Sequence, residues 1–139
     1  MLFVGAFERQ VDDKGRLALP SRFRVGFAEQ CYLAKGAGKC VNIVPASVFE
    51  AEADAMRARV AAGEVPLNHL RALAGSASLV TIDKQGRISV DEQLRDYAGL
   101  TTESTVTVAG AFDRLEIWTP DRYARIDSDA SGEMAGESE

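Results

Sequence analysis

Two aspartate–arginine pairs stand at the same spacing in this chain, Asp12 with Arg16 and Asp83 with Arg87. A glycine, Gly15 or Gly86, immediately precedes each arginine, and the two copies lie 71 positions apart. Asp followed by Gly is turn chemistry: the carboxylate bonds nearby backbone, and glycine accepts a positive φ. A hairpin by itself does not require arginine straight after its turn in both copies. A guanidinium at such a tip can make paired bonds to a phosphate or to a guanine edge, and an adjacent carboxylate can fix its direction. Lys14 and Lys84 sit in the same turns and are candidate phosphate contacts. The candidate site is therefore Asp12, Lys14, Arg16, Asp83, Lys84 and Arg87, with the aspartates as holders and the arginines as readers.

Other chemistry finds little support. Lys35-Gly36-Ala37-Gly38-Lys39 invites a phosphate-loop reading, but Leu33 stands where the first glycine belongs and Cys40 where Ser or Thr is required. With His69 the single histidine, no Ser-His-Asp or Cys-His set assembles, and no carboxylates are paired for acid–base work. Neither a catalytic residue, a metal site, a cofactor nor a small-molecule substrate is expected. Cys31 and Cys40 read as small buried strand residues rather than as a disulfide framework.

The turns need elements to hold them. Phe7, Arg9 and Val11 alternate with Glu8 and Gln10, so residues 7–19 read as a hairpin through the turn 12–15. Pro20-Ser21 starts a short helical turn carrying Phe23 and Phe27. Strands follow at 31–35 and 40–44, linked by the Gly-rich loop 36–39. The second copy repeats the plan, with strands near 78–82, 87–90, 104–109 and 114–118 and a helix carrying Leu94 and Ala98. Phe23 aligns with Leu94 and Arg24 with Arg95; with four more residues inserted, Ile43-Val44-Pro45 aligns with Trp118-Thr119-Pro120. Self-similarity on this scale marks two copies of one supersecondary unit.

Between the copies, Ser47 and Glu50 form a capping box opening a helix over 47–61, with Phe49, Ala53, Met56 and Val60 as its apolar stripe and Gly63 as its end. Pro66 begins a second helix with Leu67, Leu70 and Ala74 on one face and Gly75 as its stop. Both helices should lie against the shared core. Thr119-Pro120 starts a last helix with Tyr123 inward. The expected division is 1–46 first repeat, 47–75 helical bridge, 76–126 second repeat and 127–139 an acidic disordered tail.

Each unit is about 45 residues, near the size at which a lone core fails, so the two should close one core together. The net charge of −5 is unevenly spread. Asp127, Asp129, Glu133, Glu137 and Glu139 crowd the C-terminus without a basic partner, and the rest of the chain carries 16 basic against 16 acidic residues. Arg9, Lys14, Arg16, Arg22 and Arg24 face only Asp12 and Asp13, and local charge decides where a polyanion docks. No apolar run reaches membrane-spanning length and no signal-peptide pattern opens the chain, which predicts a cytoplasmic protein.

These residues resemble the MraZ family of bacterial transcriptional regulators, associated with the division and cell-wall gene cluster. The resemblance rests on Gly5, Asp12-x-Lys14-Gly15-Arg16-Leu17-x-Leu19-Pro20, Phe23-Arg24, Ala77, Asp83-x-Gln85-Gly86-Arg87-Ile88, Leu94-Arg95-x-Tyr97-Ala98-Gly99-Leu100, Gly110 and Arg114-x-Glu116-Ile117-Trp118. It runs from about residue 1 to 125. It implies a mainly β fold with short helices (α+β), built from two tandem AbrB-like swapped-hairpin units closing one pseudo-dimeric β-barrel. It further implies a homo-oligomeric ring, nucleoid association, and sequence-specific binding to short direct repeats of double-stranded promoter DNA, with function carried by Asp12, Arg16, Asp83 and Arg87. One departure is Asp91, where the first copy has Pro20. The alternative is an oligomeric antitoxin-like module of the same fold whose main partner is protein.

Overall fold

The computed structural model describes residues 1–136. Its first half runs β1 (Ala6–Val11), β2 (Arg16–Ala18), α1 (Ser21–Arg24), β3 (Gln30–Gly36) and β4 (Cys40–Pro45). Two helices follow, α2 (Ala46–Ala61) and α3 (Leu67–Ser76). The second half repeats the order as β5 (Ser78–Thr81), β6 (Arg87–Ser89), α4 (Glu92–Ala98), β7 (Ser104–Gly110), β8 (Leu115–Trp118) and α5 (Pro120–Met134).

All eight strands form one antiparallel sheet in the order β5-β3-β4-β8-β7-β1-β2-β6. The two halves exchange partners along this order. β1 pairs with β7 and its counterpart β5 with β3, while β2 pairs with β6 and β4 with β8 across a pseudo-two-fold. The edge strands β5 and β6 are joined by a tight turn in which Asp83 N–H donates to Arg87 O (3.0 Å), so the sheet comes round as a nearly closed barrel. Closure leaves little exposed strand edge, the usual hazard of a small β protein.

The inward positions of both halves fill one interior. Leu17 faces Ile88 across the β2–β6 ladder, and Val11, Leu33, Ile43, Val106, Leu115 and Ile117 join them in one buried cluster. Phe23 on α1 and Leu94 on α4, the pair aligned between the copies, plug the barrel at equivalent places. Cys31 and Cys40 are buried strand residues, as expected, and burial pushes their thiols up to about 11 and about 12.

Five expectations are corrected. The capping box at Ser47 and Glu50 does not form, because Pro45 caps α2 and puts Ser47 inside the first turn, where it makes no cap bond. Pro45, with φ −56° and ψ 144°, already turns the chain from strand to helix. Gly75 does not stop α3, which continues to Ser76. The bridge helices cover the outer side of β3 and β4 rather than lying against the shared core: Phe49 stacks on Tyr32 (4.4 Å, 14°), and α2 buries no residue fully. The caps Pro45 and Thr119 occupy equivalent places, so Val44 matches Trp118, one residue away from the sequence alignment. Lastly, α5 continues through Met134, although the composition suggested disorder from Asp127. Thr119 Oγ1 accepts the Arg122 N–H (3.4 Å) and Pro120 fills the first helical position, which launches the helix, and extension from a formed first turn costs little. Glu137 and Glu139 lie outside the described residues.

Candidate nucleic-acid interface

The first turn is built by Asp12. Its Oδ1 accepts the N–H groups of Lys14 (2.9 Å) and Arg16 (2.8 Å), and its Oδ2 accepts Arg16 Nε (2.8 Å). Gly15 donates its N–H to Asp12 O (3.1 Å) at φ +78°, a conformation that L side chains resist. Asp83 repeats this arrangement, accepting from Gln85 N (2.9 Å), Arg87 N (2.9 Å) and Arg87 Nε (2.9 Å), with Gly86 also at φ +78°. One carboxylate thus shapes the turn and aims the guanidinium. Both carboxyls are held below the usual value of 3.8, first by the arginine backbone N–H and against some desolvation.

Each arginine spends only Nε on its aspartate. Among the described residues no hydrogen bond uses the Nη groups of Arg16 or Arg87, and both side chains remain about one-third exposed (32% and 31%). The outer edge of each guanidinium, with its donors, therefore faces solvent.

The exchange of partners brings the two arginines together. In the β2–β6 ladder Arg16 lies opposite Ser89 and Arg87 opposite Ala18, on either side of the buried Leu17–Ile88 pair. With Leu17 and Ile88 inward, period-two alternation puts Arg16 and Arg87 on the outer face as diagonal neighbours, at about 7–8 Å. The two turns lie at opposite ends of this short ladder.

Two further arginines complete the face, and their place there was not recognised from sequence. Arg95 Nε donates to Val90 O (3.0 Å), and its guanidinium covers Gly15. Arg24 Nε donates to Leu19 O (3.2 Å), and its guanidinium covers Gly86. Each turn is thereby flanked by its own arginine and by one from the other half. The backbone locks the same crossing, with Val90 N donating to Gly15 O and Leu19 N to Gly86 O, both at 2.9 Å. The available signal was the alignment of Arg24 with Arg95.

The lysines behave differently. Lys14 and Lys84 are exposed in opposite turns, but they are not counterparts. Gln85 supplies the N–H that Lys14 supplies in the first turn, so Lys84 corresponds to Asp13. Asp91 occupies the departure from Pro20 as a working cap: its Oδ1 accepts Leu94 N (2.9 Å), and its Oδ2 accepts Ser78 Oγ (2.7 Å).

Residues 2–62 and 73–138 match the family model described as "MraZ protein, putative antitoxin-like". The chain is 36% identical over 135 residues to "Transcriptional regulator MraZ" of Nocardioides sp., covering 97% of this chain and 92% of that one. It is 38% identical over 117 residues to the protein of that name from Kocuria rhizophila, covering 84% and 80%. With that of Salinispora arenicola it shares 38% over 123 residues, covering 88% and 84%.

Proposed function

The chain belongs to the MraZ family, and on that footing we propose that it regulates transcription by binding double-stranded DNA through the outer face of β2 and β6. The observation that carries this reading is the pair of aspartate-held arginines, side by side with their Nη donors unused. A two-stranded ribbon is among the few elements that enter a major groove, and a fixed guanidinium suits guanine O6 and N7. Arg24, Arg95, Lys14 and Lys84 add positive charge around it for phosphate contact. The net charge of −5 is no obstacle, because the surplus acid is concentrated in the C-terminal segment.

The expected target is a set of short direct repeats in a promoter, that of the bacterial division and cell-wall cluster being the one the family resemblance suggests. Several chains assembled in a ring would set several such faces along the repeats, and linked contacts raise affinity without any new chemistry. The place of work would be the cytoplasm, on the nucleoid.

A mobility-shift titration with a duplex from the promoter of its own gene, across salt, tests this reading. Arg16→Ala and Arg87→Ala should each fold, since the glycines still permit the turns. Binding should fall by roughly 1–3 kcal/mol per lost base contact, chiefly on the preferred sequence. Loss on all sequences, with the salt slope lowered by about one, would assign these side chains to phosphate. Unchanged affinity in the folded double variant would overturn the interface and favour the antitoxin-like protein-binding alternative.

A further inference from the structure

The repeat makes α5 the counterpart of α2. Both follow the equivalent strands β4 and β8 after the equivalent caps Pro45 and Thr119, so Phe49 corresponds to Tyr123, Met56 to Ala130 and Val60 to Met134. α2 shares its stripe with α3, and together they frame an open cavity of about 170 Å³, floored by Ala53, Met56, Leu70, Leu73 and Ala74. α5 has no such companion among the described residues. Tyr123 leans on Trp118 (6.4 Å between ring centroids), but Ile126 is 41% exposed and Met134 88%. Ile126, Ala130 and Met134 follow at intervals of four and line one face. Ser128, Ser131 and Gly132 are poor helix formers, so the last turns gain little from propensity and little from burial.

Charge identifies what covers that face. Along α2 the order is acidic then basic, Glu50, Glu52 and Asp54 before Arg57 and Arg59, and α3 contributes Arg71. Along α5, past Asp121 in its first turn, the order is reversed, Arg122 and Arg125 before Asp127, Asp129 and Glu133. The two helices are also alike in length, 16 and 15 residues. In its own chain α5 rests against β7, whereas the groove lies over β3 and β4.

We propose that α5 of one chain docks into the α2–α3 groove of a second copy, alongside α2 and in the same direction. Ile126, Ala130 and Met134 enter the groove, and the acidic end of α5 meets Arg57, Arg59 and Arg71. The exposed pair of Arg57 with Asp54 is weak enough to exchange partners. This contact names the surfaces behind the multi-chain assembly proposed above and rests on that reading.

The test uses full-length protein, followed by sedimentation velocity and light scattering over a concentration series. Met134→Asp alters a side chain that is 88% exposed in its own chain, so at concentrations where both are monomeric its thermal melt should match wild type, while self-association weakens at least about tenfold. Asp129→Lys/Glu133→Lys and Arg57→Glu/Arg71→Glu should each associate poorly alone. Mixed one to one they should assemble, because every contact between unlike chains is again opposite in sign. A wild-type chain that stays monomeric throughout would remove the assembly itself, and this contact with it. Wild type that assembles with Met134→Asp assembling equally well, or with no rescue on mixing, would leave the assembly standing and overturn this docking mode.

Discussion

Asp12 and Asp83 shape their turns and orient the following arginines with the same three hydrogen bonds, which makes their charge measurable through folding. Their carboxyls titrate below the ordinary 3.8 in the folded chain. A depressed folded pKa contributes stability above the unfolded value and loses it as pH falls through the lowered folded value. Asp12→Asn/Asp83→Asn keeps an oxygen for the backbone N–H groups but removes the charge and sets an amide toward Nε. Urea denaturation should find this variant less stable than wild type at pH 7. The difference should shrink below about pH 4 and close as the wild-type carboxyls protonate. A gap that stays constant down to about pH 2.5 would place the stabilising effect outside these two charges.

Among the elements, the turn glycines and a helix glycine should respond to alanine with opposite signs. Gly15 and Gly86 sit at φ +78°. A methyl at Gly15 would lie 2.9 Å from Arg95 Nε and 3.0 Å from Val90 O, and one at Gly86 would press on the Arg24 guanidinium. Gly15→Ala should therefore cost about 1–3 kcal/mol and disturb the arginine from the other half. Gly75 lies inside α3, without a positive φ, and a methyl added there would meet nothing within 4 Å. Gly75→Ala should stabilise by about 0.5–1 kcal/mol, because it only narrows the unfolded ensemble and improves helix propensity. Equal signs for the two substitutions in thermal melts would contradict this account of the turns.

The whole molecule is held by contacts between its halves. β1 and β2 lean on β7 and β6, and β3 and β4 on β5 and β8, so a fragment of residues 1–62 loses cross-half ladders on every strand. At about 60 residues with half its core partners missing, it cannot bury enough apolar surface to stand alone. Sedimentation should find it unfolded, aggregated or paired with a second copy that replaces the missing half. A folded monomer with a cooperative melt would show that the first half has a core of its own.

What could be read along the chain was what neighbouring residues settle among themselves. The Asp-to-Arg turns and their positive-φ glycines were legible because turn formation depends on residues within a few positions of one another. The expected hairpins were not: β2 pairs along its length with β6, and β5 and β6 share only their turn. The equivalence of Phe23 with Leu94 was legible through the repeat, and the structure turned both into one interior. Helix ends were less so. Ser47 looked like a cap because the pattern fits, yet Pro45 at the end of a paired strand made the turn first. The polar run after Asp127 looked disordered because composition carries no trace of a helix already launched by Thr119. Which strands meet was settled in three dimensions, and with it the composition of the candidate site. Arg16 and Arg87 are 71 positions apart in sequence and become diagonal neighbours through the β2–β6 ladder. Arg24 and Arg95 each come to cover the turn of the opposite half. No local preference encodes such a meeting, because it follows from two half-cores each too small to close except around the other.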